Sequence, residues 1–224
     1  MRKVITGAFV SLDGVMQAPG GPQEDPSGGF KYGGWVAPLA DEDPVFGEEM
    51  GKLFGEPFDL LLGRFTYDIF AAHWPYAERG PHDFIAKRFN SVTKYVATRS
   101  NDPLPWKGSV ALHDAAKDVA QLKQSDGPAL LTQGSSDLIQ TLIAHDLIDE
   151  LMILTFPVVL GSGKKLFRDG VHPGAYRLAR SRVSPNGIVI ASYRRTGEVK
   201  TGDLGTNPPT AAETARREKL QREG

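Results

Sequence analysis

The most informative absence from this 224-residue sequence is cysteine, of which there is none. Without cysteine the chain can form no disulfide, no thiolate metal cluster and no cysteine nucleophile, and it suits a reducing compartment. Long apolar runs are also missing, because no stretch approaches the roughly 20 residues that a membrane-spanning helix needs. The opening residues MRKVITGAFVSL lack the apolar segment of a signal peptide. We therefore expect a cytoplasmic protein with no membrane partner.

An excess of charge of either sign is absent as well. The chain has 26 Lys and Arg residues against 27 Asp and Glu residues, a net charge of -1. No broad electrostatic field therefore favours nucleic acid as a partner, and any anion-binding site must be local. The 5 histidines show no metal-ligand spacing, so we expect no metal site.

The sequence does contain an alternation of short apolar strands and amphipathic helices. Strands are predicted at residues 4–12, 58–62, 94–98, 109–112, 129–132, 151–160, 176–183 and 187–195. Helices are predicted at residues 44–55, 84–89 and 115–124. A further helix is expected directly after the strand that ends near residue 62, and another begins after Ser135 or Ser136, either of which can cap it. Asn186-Gly187 between the last two strands is a strong hairpin signal. This order predicts an α/β fold with a mostly parallel twisted sheet and an antiparallel C-terminal hairpin.

No internal repeat is visible, and we expect one domain at residues 1–196. A long loop rich in Gly and Pro at residues 16–43 interrupts it, and such loops are often lids or binding loops. A disordered insertion is the alternative, although Phe30, Tyr32 and Trp35 argue against disorder. The polar segment 197–224 is expected to be a flexible tail or a solvated helix without chemistry.

Three junctions at the ends of predicted strands carry similar chemical groups. They are Gly63-Arg64-Phe65-Thr66, Thr98-Arg99-Ser100 and Gly134-Ser135-Ser136. In a parallel sheet these points lie along one edge, and two helix starts with two arginines match a ligand with several phosphates, such as a dinucleotide. Each junction alone can equally be an ordinary turn and cap. Asp137 favours that alternative for the third junction, because it already complements the helix dipole.

Several motifs together resemble a known family. They are SLDG at 11–14, LLLGRFTYD at 60–68, QGSSDLIQTL at 133–142, LIDEL at 147–151 and FPVVLGSGKKLF at 156–167. The sequence resembles dihydrofolate reductase and the C-terminal reductase domain of bifunctional riboflavin-biosynthesis proteins, and most resembles standalone members of that family. The resemblance implies a dihydrofolate-reductase-like three-layer fold, NADPH as cofactor, hydride transfer to a pterin or pyrimidine ring, and a homodimer.

The resemblance also assigns residues to the cofactor. Those expected at its phosphates and adenosine are Gly63, Arg64, Thr66, Thr98, Arg99, Ser100, Gly134, Ser135 and Ser136. Thr98, Arg99 and Ser100 would contact the adenosine ribose and its 2′-phosphate, and the 134–136 turn would hold the diphosphate. A turn comprising Leu160, Gly161 and Gly163 would lie beside the nicotinamide or the substrate.

A proton must also reach the reduced heterocycle, so we expect one acid or an ordered water near it. Asp13, at the end of the first strand, and Glu49, on the helix that carries the substrate-binding carboxylate in dihydrofolate reductase, are the candidates. An Asp-Gly turn and a solvated helix residue are the structural alternatives. Lys164 and Lys165 are candidates for a substrate phosphate, but a solvated loop pair is the favoured interpretation.

The sequence thus predicts an NADPH-dependent reductase acting on a small heterocyclic substrate. The resemblance favours 5-amino-6-(5-phosphoribosylamino)uracil of riboflavin biosynthesis over dihydrofolate. A nucleotide-binding protein of the same fold without turnover is an alternative, and a ligand-free interaction protein is the weakest one.

Overall fold

A computed structural model describes residues 1–80, 82–205 and 208–223 of the chain. Within them the backbone forms one sheet with strands Val4–Ser11 (β1), Phe58–Gly63 (β2), Lys94–Ala97 (β3), Ser109–Leu112 (β4), Ala129–Gln133 (β5), Glu150–Phe156 (β6), Ala175–Val183 (β7) and Val189–Gly197 (β8). The α-helices are Ala37–Ala40 (α1), Pro44–Gly55 (α2), Arg64–His73 (α3), Asp83–Ser91 (α4), Ala115–Gln124 (α5), Ser136–Ala144 (α6) and Ala211–Glu223 (α7). Since residues 206, 207 and 224 lie outside this description, the predicted 197–224 tail is covered only in part.

The strand order of the sheet is β4-β3-β2-β5-β1-β6-β8-β7. Neighbours from β4 to β6 run parallel, whereas β8 pairs antiparallel with β6 and β7. The prediction of a mostly parallel sheet with an antiparallel C-terminal hairpin is confirmed. Because β5 lies between β2 and β1, the carboxyl ends of β1, β2, β3 and β5 meet at one edge of the sheet, where such folds bind ligands.

The two faces of the sheet bury separate apolar clusters. Leu60 and Leu62 of β2 pack in a cluster with Phe54 of α2, whereas Leu61 packs in a second cluster with Ile139 of α6. This alternation follows from the two-residue period of a strand. Helices α2, α3 and α4 cover one face and α5 and α6 cover the other, which makes a three-layer fold.

Local signals set the ends of several elements. Helix α2 begins at Pro44 because the Asp43 carboxylate accepts hydrogen bonds from the N–H groups of Val45 and Phe46, at 3.0 and 2.9 Å. The predicted bounds of α2, β4 and α5 are confirmed. Strand β6 ends at Phe156 rather than at residue 160, since the following proline has no N–H for the sheet ladder.

The C-terminal segment behaves as a solvated helix. Helix α7 buries none of its residues, which agrees with its lack of an apolar face. Within the described ranges no helix combines the length and the apolar character needed to cross a bilayer.

The 16–43 loop is packed against the body of the protein. The Trp35 indole N–H donates to the Gln17 carbonyl at 2.8 Å, and Phe30 and Trp35 are buried in the core. Tyr32, in contrast, is 54% exposed. A Cβ atom on Gly163 would lie 2.6 Å from Val15 Cγ1, just before the loop, and 3.0 Å from Phe30 Cε2 within it. The loop therefore contributes to the core and is seated on the 160–165 turn.

Candidate active site

A cleft of about 3020 Å³ runs along the edge where the parallel strands end. Pockets for drug-sized ligands reach only about 1,000 Å³, so this cleft has room for two ligands together. The three predicted junctions line it at the ends of β2, β3 and β5. The structure thus brings together Gly63, Arg64, Thr66, Thr98, Arg99, Ser100, Gly134, Ser135 and Ser136.

Two of the junctions are joined by reciprocal hydrogen bonds. The Gly63 N–H donates to Ser135 Oγ, and the Ser135 N–H donates to Thr66 Oγ1, both at 2.9 Å. Gly134 and Ser135 both have left-handed backbone, with φ values of 63° and 60°. A Cβ atom on Gly134 would meet Thr66 Cγ2 at 3.1 Å and Oγ1 at 3.2 Å. The starts of α3 and α6 are therefore held together, at a distance that only glycine allows.

The first turns of α3 and α6 lack a side-chain cap. Gly63, before α3, has no side chain that could cap the helix. Ser135, the predicted cap of α6, makes no capping hydrogen bond because its hydroxyl accepts the Gly63 N–H. Free N–H groups and the positive end of the helix dipole suit an anion. Asp137 in the first turn of α6 is paired with Arg168 at 2.5 Å, which offsets its charge beside the cleft.

The junction at residues 98–100 differs from the other two. Thr98 Oγ1 accepts the Ser100 N–H at 3.0 Å, so these hydroxyl groups shape the turn. The Arg99 side chain is exposed and makes no ion pair with the described residues. Arg64, in contrast, is paired with Asp68 at 2.9 Å. Of the two predicted arginines, Arg99 is therefore the one with an unpaired charge at the cleft.

Asp13 anchors the turn that follows β6. Its carboxylate accepts hydrogen bonds from Ser11 Oγ at 2.6 Å, the Leu160 N–H at 3.1 Å and the Gly161 N–H at 2.8 Å. These bonds, with the Ser11 hydroxyl first, lower the pKa of Asp13 to about 2. Asp13, Leu160 and Gly161 do not line the cleft, whereas Gly163 does. An ionised carboxylate in this position holds the turn and has no proton to donate at neutral pH.

Glu49 also lies outside the cleft lining. Its carboxylate is 1% exposed and pairs with Arg180, with Arg182 at 3.0 Å and with Lys52 at 3.2 Å. Burial alone would raise the pKa of Glu49, but the hydrogen bonds from Arg180, Arg182 and Lys52 outweigh burial and lower it to about 2. The residue thus joins α2 to the edge strand β7. This arrangement favours a structural role for Glu49 over proton transfer.

Replacing Glu49 by Gln is expected to reduce the free energy of unfolding by about 1–3 kcal/mol at pH 7, because charged hydrogen bonds are lost from a buried site. The folded pKa lies below the ordinary value of 4.5, so this contribution is complete above pH 4.5 and disappears as the pH falls through about 2. Urea unfolding at pH 7 and pH 2 measures the difference. The matched control is Glu48→Gln, an exposed neighbour that pairs with the same Lys52 and Arg182. An equal loss in both variants would contradict the burial argument.

Glu24 is a cleft residue that sequence reasoning missed. Its carboxylate accepts hydrogen bonds from the N–H groups of Gly20 at 2.6 Å and Gly21 at 3.2 Å. Burial raises the pKa of Glu24 above its ordinary value of 4.5, and the two N–H groups offset this only in part. It lies in the aperiodic loop, where no local pattern distinguishes one acidic residue from the next.

One part of the cleft is apolar. The aromatic and sulfur-containing side chains of the cleft lining are those of Phe9, Met16, Phe46, Met50, Phe54, Phe65, Phe70, Trp74, Phe84 and Phe89. Lys164 lies at the rim, paired with Asp25 at 2.7 Å and 4.3 Å above the Phe65 ring. Lys164 thus contacts the 16–43 loop while its side chain stays 43% exposed, and Lys165 is exposed as well, which agrees with the favoured expectation of a solvated pair. Among the described residues no group of His, Asp and Glu side chains could hold a metal ion.

This fold and cleft define the chain as a dihydrofolate-reductase-like α/β protein. It superimposes with a TM-score of 0.55 and 15% identity on dihydrofolate reductase from Enterococcus faecalis complexed with NADP(H) and RAB-propyl, over 87% of this chain and 96% of that one. A Shewanella sp. PV-4 protein, provisionally assigned to riboflavin biosynthesis, gives a TM-score of 0.56 and 22% identity over 88% and 99%. A pyrimidine reductase-like protein from Corynebacterium diphtheriae gives 0.55 and 12% over 88% and 93%. At these identities the similarity concerns the fold.

The sequence profile of the RibD C-terminal domain matches residues 2–190, and the chain belongs to this family. Two proteins of Bacillus subtilis (strain 168) are similar over most of their length. YyaP, an uncharacterized protein, is 25% identical over 197 residues, which cover 88% of this chain and 96% of YyaP. YwjB, also uncharacterized, is 28% identical over 182 residues, which cover 79% and 89%. The resemblance predicted from the motifs is confirmed.

Proposed function

We propose that the protein is an NADPH-dependent reductase that transfers a hydride to a small heterocycle of pterin or pyrimidine type. The observation that carries this proposal is the convergence of three junctions on one cleft, with two uncapped helix starts and two arginines. A dinucleotide has phosphates, a flat adenine and a flat nicotinamide, and it matches such a mixed surface.

In this proposal the diphosphate lies at the joined starts of α3 and α6. Gly63, Thr66 and Gly134 allow close approach there, and the N–H groups of the first helical turns can bind its oxygens. The adenosine 2′-phosphate lies at the 98–100 turn, because Arg99 has the unpaired guanidinium. NADPH, when bound, supplies the hydride, and the chain supplies binding, orientation and a proton.

The apolar part of the cleft is proposed to hold the heterocycle. An aminouracil of the riboflavin pathway is favoured because the chain belongs to the RibD C-terminal domain family. Dihydrofolate is less favoured, since Glu49, the expected counterpart of its binding carboxylate, lies outside the cleft lining. A homodimer through the β7 edge belongs to the same proposal, because Leu178 and Val183 on that strand are 52% and 66% exposed. Sedimentation velocity would show a monomer if this part is mistaken.

The test is to mix the protein with NADPH and either the aminouracil ribose phosphate or dihydrofolate, and to follow the loss of NADPH absorbance. Oxidation that depends on the aminouracil supports the proposed reductase. Tight NADPH binding without oxidation of any pterin or aminouracil would favour a nucleotide-binding protein without turnover. Absence of NADPH binding by calorimetry would overturn the proposal altogether.

Glu24 is proposed as the proton donor, in place of Asp13 and Glu49. A general acid works in its protonated form, so the rate should be highest below the raised pKa of Glu24 and fall as the pH increases through it. Glu24→Gln should lower kcat by roughly 100-fold or more and flatten this pH profile. The glutamine oxygen can still accept the Gly20 and Gly21 N–H groups, so the loop should keep its shape. An unchanged pH profile in this variant would remove Glu24 from the mechanism.

A further inference from the structure

Gln133, the last residue of β5, carries an amide that the folded chain leaves unused. It is half-buried and lines the cleft, yet its Nε2 is buried and has no hydrogen-bond partner among the described residues. Polar atoms in such positions are normally satisfied, so an unpaired amide nitrogen at a ligand site requires an explanation.

The space for this amide comes from the neighbouring strand. Gly7 of β1 lies opposite Gln133 in the β1–β5 register. A Cβ atom on Gly7 would lie 3.3 Å from Gln133 Nε2 and 3.9 Å from its Cγ, so the amide occupies the space above the glycine. Gly7 and Gln133 both line the cleft, and Phe9 follows on the same face of β1. The amide therefore lies over Gly7 at the carboxyl end of β5, directly before the 134–136 turn.

Other buried polar atoms without partners differ in their surroundings. The Thr132 hydroxyl, one residue earlier on β5, is also unpartnered but does not line the cleft. Gln140 lines the cleft and its buried Oε1 also has no partner among the described residues, but its Nε2 donates to the Leu166 carbonyl, so its amide is already tied to the backbone. Gln133 thus combines a cleft position with a buried amide nitrogen that has no partner among the residues described.

We infer that Gln133 recognises the reactive ring by pairing its amide with a carboxamide or cis-lactam edge. Such an edge presents one donor and one acceptor side by side, which a glutamine amide matches with two parallel hydrogen bonds. A carboxylate at this position would offer acceptors only, so glutamine selects a neutral ring with both groups. The inference rests on the proposed function and adds the chemical group of the ligand that Gln133 would recognise. The nicotinamide carboxamide and the lactam edge of a uracil or pterin share this chemistry.

The experiment compares the wild type with Gln133→Leu, which keeps the size of the side chain and removes the amide. Thr132→Val is the matched control, because it removes an unpaired polar group from the same strand outside the cleft. Calorimetry measures the affinity for three probes: NADP⁺, its 3-acetylpyridine analogue without the carboxamide nitrogen, and 2′-phospho-ADP-ribose without the nicotinamide. A fourth titration adds 6-aminouracil to protein saturated with NADP⁺.

If the partner is the carboxamide, Gln133→Leu should bind NADP⁺ at least 10-fold more weakly and the acetylpyridine analogue within about twofold of the wild type. If the partner is the lactam, NADP⁺ should be unaffected and 6-aminouracil should bind at least 10-fold more weakly. Thr132→Val should match the wild type with every probe. Unchanged affinity of Gln133→Leu for both NADP⁺ and 6-aminouracil would overturn the inference.

Two further measurements separate the remaining interpretations. The ligand-free Gln133→Leu variant should melt no lower than the wild type, since no hydrogen bond is lost, and a clear fall in Tm would indicate a structural role and overturn the inference. 2′-phospho-ADP-ribose should bind both proteins equally. Failure of the wild type to bind this probe and NADP⁺ would overturn the cofactor proposal, and the inference would then be decided by binding of 6-aminouracil without the nucleotide.

Discussion

Gly134→Ala is expected to weaken NADPH binding by about 30- to 150-fold. Left-handed backbone at φ 63° costs an alanine roughly 1–2 kcal/mol. The new Cβ would also lie 3.1 Å from Thr66 Cγ2, so Thr66 must move and its hydrogen bond with the Ser135 N–H weakens by about 1 kcal/mol. The free variant relieves this strain by letting the turn shift, and NADPH binding must then restore the original geometry, so the two terms together oppose binding by about 2–3 kcal/mol, which gives the stated range.

Gly170→Ala is the matched control for this substitution. Gly170 has φ 80° and nothing within 4 Å of an added Cβ atom, so it shares the backbone cost without the contact. It should lose stability and keep its affinity for NADPH, whereas Gly134→Ala should lose both. Thermal unfolding and calorimetric titration on the same samples measure the two quantities. Equal NADPH affinities for the two variants would exclude the 134–136 turn as the diphosphate site.

Arg99→Ala is expected to weaken NADPH binding by about 10- to 100-fold and NADH binding by less than about threefold. The guanidinium is proposed to bind the 2′-phosphate, which only NADPH has, and charged hydrogen bonds of this kind contribute about 1.5–3 kcal/mol. Because Arg99 is exposed, the difference should shrink as the salt concentration rises. Dissociation constants for both dinucleotides at low and high salt check this expectation.

Arg64→Ala provides the comparison. Arg64 is already paired with Asp68 and lies at the start of α3, beside the proposed site of the diphosphate, a group that both dinucleotides share. Its removal should therefore weaken NADPH and NADH by similar, smaller factors. If Arg64→Ala discriminated between the dinucleotides and Arg99→Ala did not, the adenosine end of the cofactor would lie at the first junction.

The elements themselves were largely predictable, because their signals are local. Pro44 preceded by Asp43 starts a helix, and the predicted bounds of α2, β4 and α5 match the structure. The strand order could be inferred only from the family resemblance, since no local sequence pattern indicates that β5 lies between β2 and β1. The three junctions were found because glycine, arginine, serine and threonine residues at the ends of predicted strands can be seen in the sequence itself.

The side-chain partners within the site were not predictable. Asp13 binds N–H groups 147 and 148 residues away, and Glu49 pairs with Arg180 131 residues away. Both acids have the carboxyl group that proton transfer needs. Partners far away in the sequence, however, determine the charge of each carboxyl group and where its side chain points. Gln133 was missed because its burial shows only in the folded chain, and Glu24 was missed because it and its partners Gly20 and Gly21 lie in an aperiodic loop. Burial and the absence of a partner are properties of the assembled chain, and a single sequence does not display them.

The reciprocal bonds between Gly63, Thr66 and Ser135 also have an evolutionary consequence. Thr66 and Ser135 are 69 residues apart, yet each supplies a hydroxyl that the other's junction requires. Serine could replace threonine at 66 and still accept the N–H, whereas valine, similar in shape, could not. Because the donor in each bond is a backbone N–H, positions 66 and 135 should each keep a hydroxyl-bearing residue independently of which one the other carries.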